Sequence, residues 1–248
     1  VSTRSWKWLG WPIRATIVIV SLLVIVRSGS RGQLVAALLT LLVMMPVAFR
    51  MNRARGIAAA LVGLALVGGA MAYAVTETMH ANAARWDESL AARDAVGRWH
   101  MASKLLSVWA DSGVGLVIGL GNSSAYDPKI LGIYPHIVPL EILAEEGFVG
   151  AALYLSILWM CLSALLRAWR MCRNMPDERG LVAAVGGTFL FMFLLSCKEG
   201  SMLGSLYLFM YAIVLGHMPE YVQAAEKRRA TKKQAQSTTL RREAAATA

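Results

Sequence analysis

Apolar runs of near membrane-crossing length, several of them closed by a short basic cluster, constrain this chain more than any other feature. They occupy residues 12–26, 33–49, 56–75, 147–166, 181–196 and 202–216, about six in all. A crossing needs about 20 residues, and the first run reaches that only with its lead-in of Trp6, Trp8 and Trp11, which read as interfacial aromatics. Inside a bilayer each backbone N–H and C=O must be satisfied within the protein, so runs of this length are helices. The expected fold is all-α, a polytopic transmembrane helical bundle with a large, partly helical extracytoplasmic loop. Composition agrees: 57% of residues are hydrophobic, 16% are charged and mean hydropathy is +0.52, against about 25% charged residues in soluble domains. The net charge of +10 is gathered beside the apolar runs rather than along a polar face, which argues for membrane flanks and against nucleic acid. Three scattered cysteines, Cys161, Cys172 and Cys197, give neither a disulfide framework nor a zinc pattern.

Basic turns follow the second run (Arg50, Arg53, Arg55) and the fourth (Arg167, Arg170, Arg173, Arg179), and the tail from Glu226 is basic. The positive-inside bias places these in the cytoplasm. Alternation then puts the turn at 27–32, the long polar stretch at 76–135 and the turn at 197–201 together on the opposite side. The expected organisation is three transmembrane helices in 1–75, a loop in 76–136, three more helices in 137–217 and a basic cytoplasmic tail in 218–248, disordered or a frayed helix. The chain opens on Val1 without a signal-peptide pattern and reads as a fragment missing an N-terminal portion.

Within the loop, 85–110 reads as a helix with Ala95, Trp99, Ala102, Leu106 and Trp109 on one apolar stripe. Residues 113–127 read as irregular, their glycines letting the backbone turn closely against the bundle. The glycines at 113–121 have neither the spacing nor the strand–helix context of a nucleotide loop. Of the four histidines only His136 stands where a polar loop re-enters an apolar run, with Pro135 before it and Pro139 close behind. The prolines predict extended backbone at Tyr134 and Val138 and a helix opening at Pro139, with Glu141, Glu145 and Glu146 in its first turns, where carboxylates suit the helix dipole.

His136 there is either a general base for a hydroxyl nucleophile or an interfacial side chain bonded to a loop carbonyl. Arg31, with Arg27 nearby, runs against the positive-inside bias; it is either a bidentate anion clamp or a side chain snorkelling to head groups. Arg98 offers the same chemistry unless Asp94, four residues earlier on the expected helix, occupies it; Arg93 is a weaker candidate of the same kind. Lys198 and Glu199 either line the same mouth or form a solvated turn pair. No spacing of His, Cys, Asp or Glu in the loop fits a metal site, so neither a metal nor a cofactor is expected.

Three of these pieces together resemble the C-terminal half of the O-antigen ligase and polysaccharide polymerase superfamily, bacterial integral membrane glycosyltransferases. Ser30-Arg31-Gly32 is similar to an SRG element that opens a span in that superfamily. Arg98-Trp99 leading through Trp109 to Gly119-Leu120-Gly121 is similar to the arginine-to-glycine run of its large periplasmic loop. His136, followed by Glu141, Gly147 and Gly150, matches in spacing an H-(N/S/Q)-x9-G-x-x-G element. Ile137 departs from that element and leaves no polar side chain after the histidine. The resemblance covers roughly residues 18–150, and members of the superfamily are generally longer.

The resemblance implies transfer of a glycan from an undecaprenyl-pyrophosphate carrier to an acceptor hydroxyl at the periplasmic face of the bacterial inner membrane. Arg31 and Arg98 would hold the pyrophosphate, helped by Arg27, Arg93 and Glu141 in substrate binding, and His136 would activate or orient the hydroxyl. The acceptor would be lipid A core, a polysaccharide or a protein. The rival readings are a protein O-oligosaccharyltransferase with the same motifs, a flippase for the same lipid-linked glycans, and a structural subunit for which Arg31, Arg98 and His136 are dispensable.

Overall fold

The computed structural model describes residues 30–48, 88–133, 135–198 and 201–246, with scattered positions between 16 and 28 and between 65 and 76. Every regular element among the described residues is helical. The helices are α1 (Arg31–Ala48), α2 (Glu88–Ala110), the short α3 (Gly115–Ile118), α4 (Val138–Met171), α5 (Pro176–Ser196) and α6 (Leu206–Ala246), with 3₁₀ turns at Ser124–Tyr126, Cys172–Asn174 and Leu203–Ser205.

Helix α4 organises the molecule. With the turn that extends it, it runs from Val138 to Asn174, 37 residues, or about 55 Å of helix against a hydrocarbon core of about 30 Å. It breaks at Gly147, whose φ of 65° and ψ of −163° are not helical. Glu141, Glu145 and Glu146 all precede the break, so the crossing portion is the uncharged stretch that follows it. Only 17% of the most apolar window of this helix is buried in the fold. Phe148, Leu153, Leu155, Trp159 and Met160 face outward, which suits lipid and would be a large exposed apolar patch in water. Helix α5 is the second described helix long and apolar enough to cross a membrane, and Gly32–Ala48 is apolar but shorter.

Of the six expected runs, the first and third fall largely outside the described residues. The sixth is the apolar opening of α6. That helix continues to Ala246, the helical one of the two expected readings of the tail. Its Ala, Lys, Arg, Gln and Glu content favours helix, and Arg229 Nη2 anchors it to Glu178 Oε2 at 2.7 Å and to Asp177 Oδ2 at 3.4 Å.

One core runs through α1, α4, α5 and α6, built from Met44, Val47, Ala168, Val182, Leu215 and Val222. Gly186 and Gly187 let α5 approach Met44 and Thr40 of α1 closely, the use of small residues expected where lipid gives no hydrophobic drive between helices. Polar contacts at the two ends fix the directions. At one end Arg179, buried near the start of α5, donates from Nε to the Val47 carbonyl (3.1 Å) and from Nη2 to the Pro46 carbonyl (3.2 Å) at the end of α1. At the other, the Lys198 side chain after α5 lies over Gly32 at the start of α1, and the Met202 N–H before α6 meets Glu141 at the start of α4. Helices α1, α4 and α6 therefore run one way and α5 the other. Lys198, Met202, the start of α1 and the start of α4, where the polar loop ends, share one end of the bundle.

A second, smaller layer covers that end. Leu105, Trp109, Ala125 and Ala144 form its core. Trp109 donates its Nε1–H to the Gly115 carbonyl (3.1 Å) and meets Phe148 edge-on, with centroids 5.2 Å apart. The expected loop helix is present as α2, but its stripe is rotated. Ala102, Leu105 and Trp109 are buried, whereas Trp99 is 76% exposed, because α3 and the start of α4 pack on the Leu105 side rather than the Trp99 side. The start of α4 differs by one residue: the extended residue is Ile137 (φ −137°, ψ 93°), and Val138 already opens the helix with Pro139 behind it. Tyr134 lies outside the described residues.

Candidate functional site

The break in α4 joins the loop to the helix that follows His136. The Ala144 and Glu145 carbonyls, just before Gly147, accept the N–H groups of Leu120 (2.8 Å) and Gly121 (3.0 Å). The Glu145 carboxylate, 1% exposed, accepts the Ser123 N–H on one oxygen (2.8 Å) and the Ala125 N–H on the other (3.0 Å). Such a buried carboxylate is tolerable because backbone donors replace its water. The loop approaches so closely that a Cβ on Gly119 would fall on the Glu145 carbonyl, and one on Gly147 would fall on the Gly119 nitrogen and the Val117 carbonyl. The glycine approach expected from the sequence is thus realised at Gly119, against a partner that local patterning did not reveal.

Above this junction the chain reverses at His136, half-buried, with φ at 61°. A left-handed φ costs a residue with a Cβ about 1 kcal/mol or more, and it is held here between buried Pro135 and the extended Ile137. Ile137 and Leu140, from the entry to α4, line an open cleft of about 630 Å³ with Arg98, Trp99, Ala102, Ser103 and Leu106 of α2. Its wall is apolar apart from Arg98 and Ser103. Arg98 Nη1 donates to the Lys198 carbonyl at 3.4 Å, which ties α2 to the turn after α5. The Asp94 side chain lies outside the described residues.

Glu141 is 3% exposed and turned inward, accepting the Met202 N–H on Oε2 at 2.8 Å. Burial pushes its carboxyl from an ordinary 4.5 up to about 7; the Met202 N–H opposes that rise and the neighbouring Glu145 adds to it. Arg31 is the first residue of α1, with its side chain outside the described residues, as is all of Glu199. Arg27 and Arg93 are exposed.

The structure therefore gathers Arg98, the His136 entry, Glu141 and the start of α1 at one end, and leaves Arg27 and Arg93 at the surface. Sequence reasoning read Glu145 only as a dipole partner, and left Lys198 open between lining the mouth and forming a solvated turn pair. The signal for Glu145 was its place one helical turn after Glu141 on the same face. For Lys198 there was no local signal.

A family model described as O-antigen ligase matches residues 16–155. That is more than half of the chain, and it contains the SRG turn, Arg98, the loop glycines, His136 and the break at Gly147. The chain belongs to the O-antigen ligase family. No curated protein and no solved structure matches it. Membership makes it a membrane protein with a glycan-transfer function and an enzyme of the ligase or glycosyltransferase type, with lipid-linked glycan and acceptor as its classes of substrate. The matched segment ends within α4 and leaves α5, the Lys198 turn and α6 outside it.

Proposed function

We propose that this O-antigen ligase family member transfers a glycan from an undecaprenyl-pyrophosphate carrier to an acceptor hydroxyl, at the periplasmic face of the bacterial inner membrane. The observation that carries this reading is the cleft in which Arg98 faces Ile137, the residue after His136. An apolar wall with one guanidinium suits a prenyl chain that ends in phosphate. In the transfer, the acceptor oxygen attacks the anomeric carbon, forming the new glycosidic bond. The bond from that carbon to the carrier oxygen breaks, and its electron pair leaves with the pyrophosphate. Arg98 and Arg31 stabilise the charge that develops there, and His136 accepts the hydroxyl proton as neutral imidazole. Pyrophosphate is already a good leaving group, so the step needs no metal. Arg27 and Arg93, both exposed, add positive charge to the approach.

The test is transfer of a radiolabelled undecaprenyl-pyrophosphate glycan to lipid A core, polysaccharide or peptide acceptors in proteoliposomes holding the full chain or its His136→Ala form. We expect transfer by the first, loss of about 10²-fold or more in the second, and unchanged carrier binding in both. Movement of the lipid-linked glycan across the bilayer by both forms, with no acceptor glycosylated, would instead mark a flippase. A flippase is expected to place broken helices at mid-membrane, whereas the break in α4 lies near its loop end.

A further inference from the structure

We propose that α3 is an interfacial anchor, with Val114, Val117 and Ile118 seated among the acyl chains of the leaflet on the loop side. The proposal concerns where the loop lies and is independent of the identity of donor and acceptor. Depth is set by α4. From Phe148 to Leu166 that helix carries no charge, which gives about 28 Å of helix for a hydrocarbon core of about 30 Å. Arg167 follows at one end, and Glu145 and Glu146 precede at the other. The stretch has little room to slide, so Phe148 stands at the hydrocarbon boundary.

Helix α3 lies at that depth. A Cβ on Gly147 would meet the Val117 carbonyl, and Trp109, whose indole N–H holds the Gly115 carbonyl, packs edge-on against Phe148. Gly115 is buried and Leu116 packs on the Leu105–Trp109 core. Val114, Val117 and Ile118, at i, i+3 and i+4, share the other face of the turn. All three are more than half exposed, as is Phe148. This apolar face therefore starts at the level where the lipid-facing surface of α4 starts, at Phe148 and Val149.

Two further features fit lipid rather than water. No charged residue stands between Asp111 and Asp127, the longest uncharged interval of the loop, so the turn can enter the bilayer without taking a charge from water. Every backbone N–H from Gly115 to Gly121 also bonds an acceptor within the protein. Those of Gly115 to Gly119 meet carbonyls between Ser112 and Gly115, and those of Leu120 and Gly121 meet the Ala144 and Glu145 carbonyls. Water would accept any N–H left over in a solvated loop, whereas hydrocarbon would not. Through Leu116, the anchored turn holds α2 and so keeps the Arg98 cleft at head-group height.

The first experiment uses the full chain in nanodiscs of phosphatidylcholine and phosphatidylglycerol, with Cys161→Ala, Cys172→Ala and Cys197→Ala. A nitroxide is attached at Val114→Cys, Val117→Cys or Ile118→Cys, and its collisions with oxygen and with a water-soluble nickel chelate are compared. Leu153→Cys on the crossing part of α4 and Lys104→Cys on α2, both at exposed positions, give the lipid and water references. We expect oxygen to be favoured at all three test positions, as at residue 153. A preference for nickel, as at residue 104, overturns the proposal. Shielding from both reagents also overturns it, since another segment or a second copy would then cover the face.

The second experiment keeps the native cysteines and follows hydrogen–deuterium exchange at residues 115–121 in nanodiscs. It compares wild type with the Val114→Gln/Val117→Gln/Ile118→Gln and Val114→Leu/Val117→Leu/Ile118→Leu triples. In water the glutamines should leave exchange unchanged or slow it, because glutamine favours helix more than valine or isoleucine does. In lipid they forfeit the burial of three aliphatic side chains, so exchange should quicken by about tenfold or more, while the leucine triple stays near wild type. Exchange in the glutamine triple at or below the wild-type rate overturns the proposal, whatever the outcome for glycan transfer.

Discussion

Gly147→Ala should detach the loop from α4. At φ 65° and ψ −163° the backbone is in a region that only glycine occupies readily, at a cost of about 1–3 kcal/mol for any other residue. The added Cβ would also meet the Gly119 nitrogen and the Val117 carbonyl, backbone atoms that cannot swing aside like the end of a side chain. Relief requires the segment around Gly119 to retreat, which lengthens or breaks the Leu120 and Gly121 bonds to the Ala144 and Glu145 carbonyls. Each is worth about 1 kcal/mol net. The combined effect is about 3–5 kcal/mol, concentrated at this junction rather than spread over the bundle. Hydrogen–deuterium exchange in nanodiscs should show faster exchange at residues 119–125, with α5 and the apolar half of α6 unchanged, and transfer should fall because the loop carries α2 and Arg98. Gly97→Ala is the matched control, since a Cβ there meets nothing within 4 Å inside α2 and should be neutral or stabilising by up to about 1 kcal/mol. Equal exchange at 119–125 in wild type and Gly147→Ala would refute the reasoning.

Three other changes follow from the same contacts. Glu145→Gln replaces one acceptor oxygen with an NH₂ that faces a backbone N–H, and should cost about 1–3 kcal/mol, read as faster proteolysis between 119 and 127. Glu141 has a folded pKa of about 7 against 4.5, so between those values the folded protein holds a proton that the unfolded chain has released. Stability therefore falls as pH rises from 4.5 to about 7 and levels above it; melting curves across that range should show the slope in wild type and lose it in Glu141→Gln. Arg179→Met removes both bonds to the end of α1 and should lower stability by about 2–3 kcal/mol. Donor KM below the melting transition should not change, since Arg179 lies at the end of the bundle away from the cleft.

What the sequence revealed was local: the membrane class from its apolar runs, the loop helix from its period, the entry to α4 from its prolines, and the tight approach at Gly119 from its glycines. Where it misled, two local patterns were equally good and a distant element chose between them. Leu105 and Leu106 both complete an apolar stripe on α2, and only the packing of α3 and α4 decides that Leu105 turns in and Trp99 turns out. Residue 147 reads as the start of a span because charge ends there. The crossing portion of α4 does begin there; what the sequence did not show is that the helix begun at Val138 opens at Gly147 to receive the loop.

Charge counting was similarly blind to partners. It gives Arg179 and Lys198 the same meaning, a cation flanking a span, although one is buried on the carbonyls of α1 and the other lies across Gly32. Both contacts join residues more than a hundred positions apart, so no periodicity can carry them. They bind opposite ends of α1 to opposite ends of α5. The Arg179 end satisfies carbonyls that would otherwise be unpaired, which is reason enough for it to exist. The Lys198 end instead packs a long side chain into the space that Gly32 leaves open, a contact that any larger residue at 32 would displace.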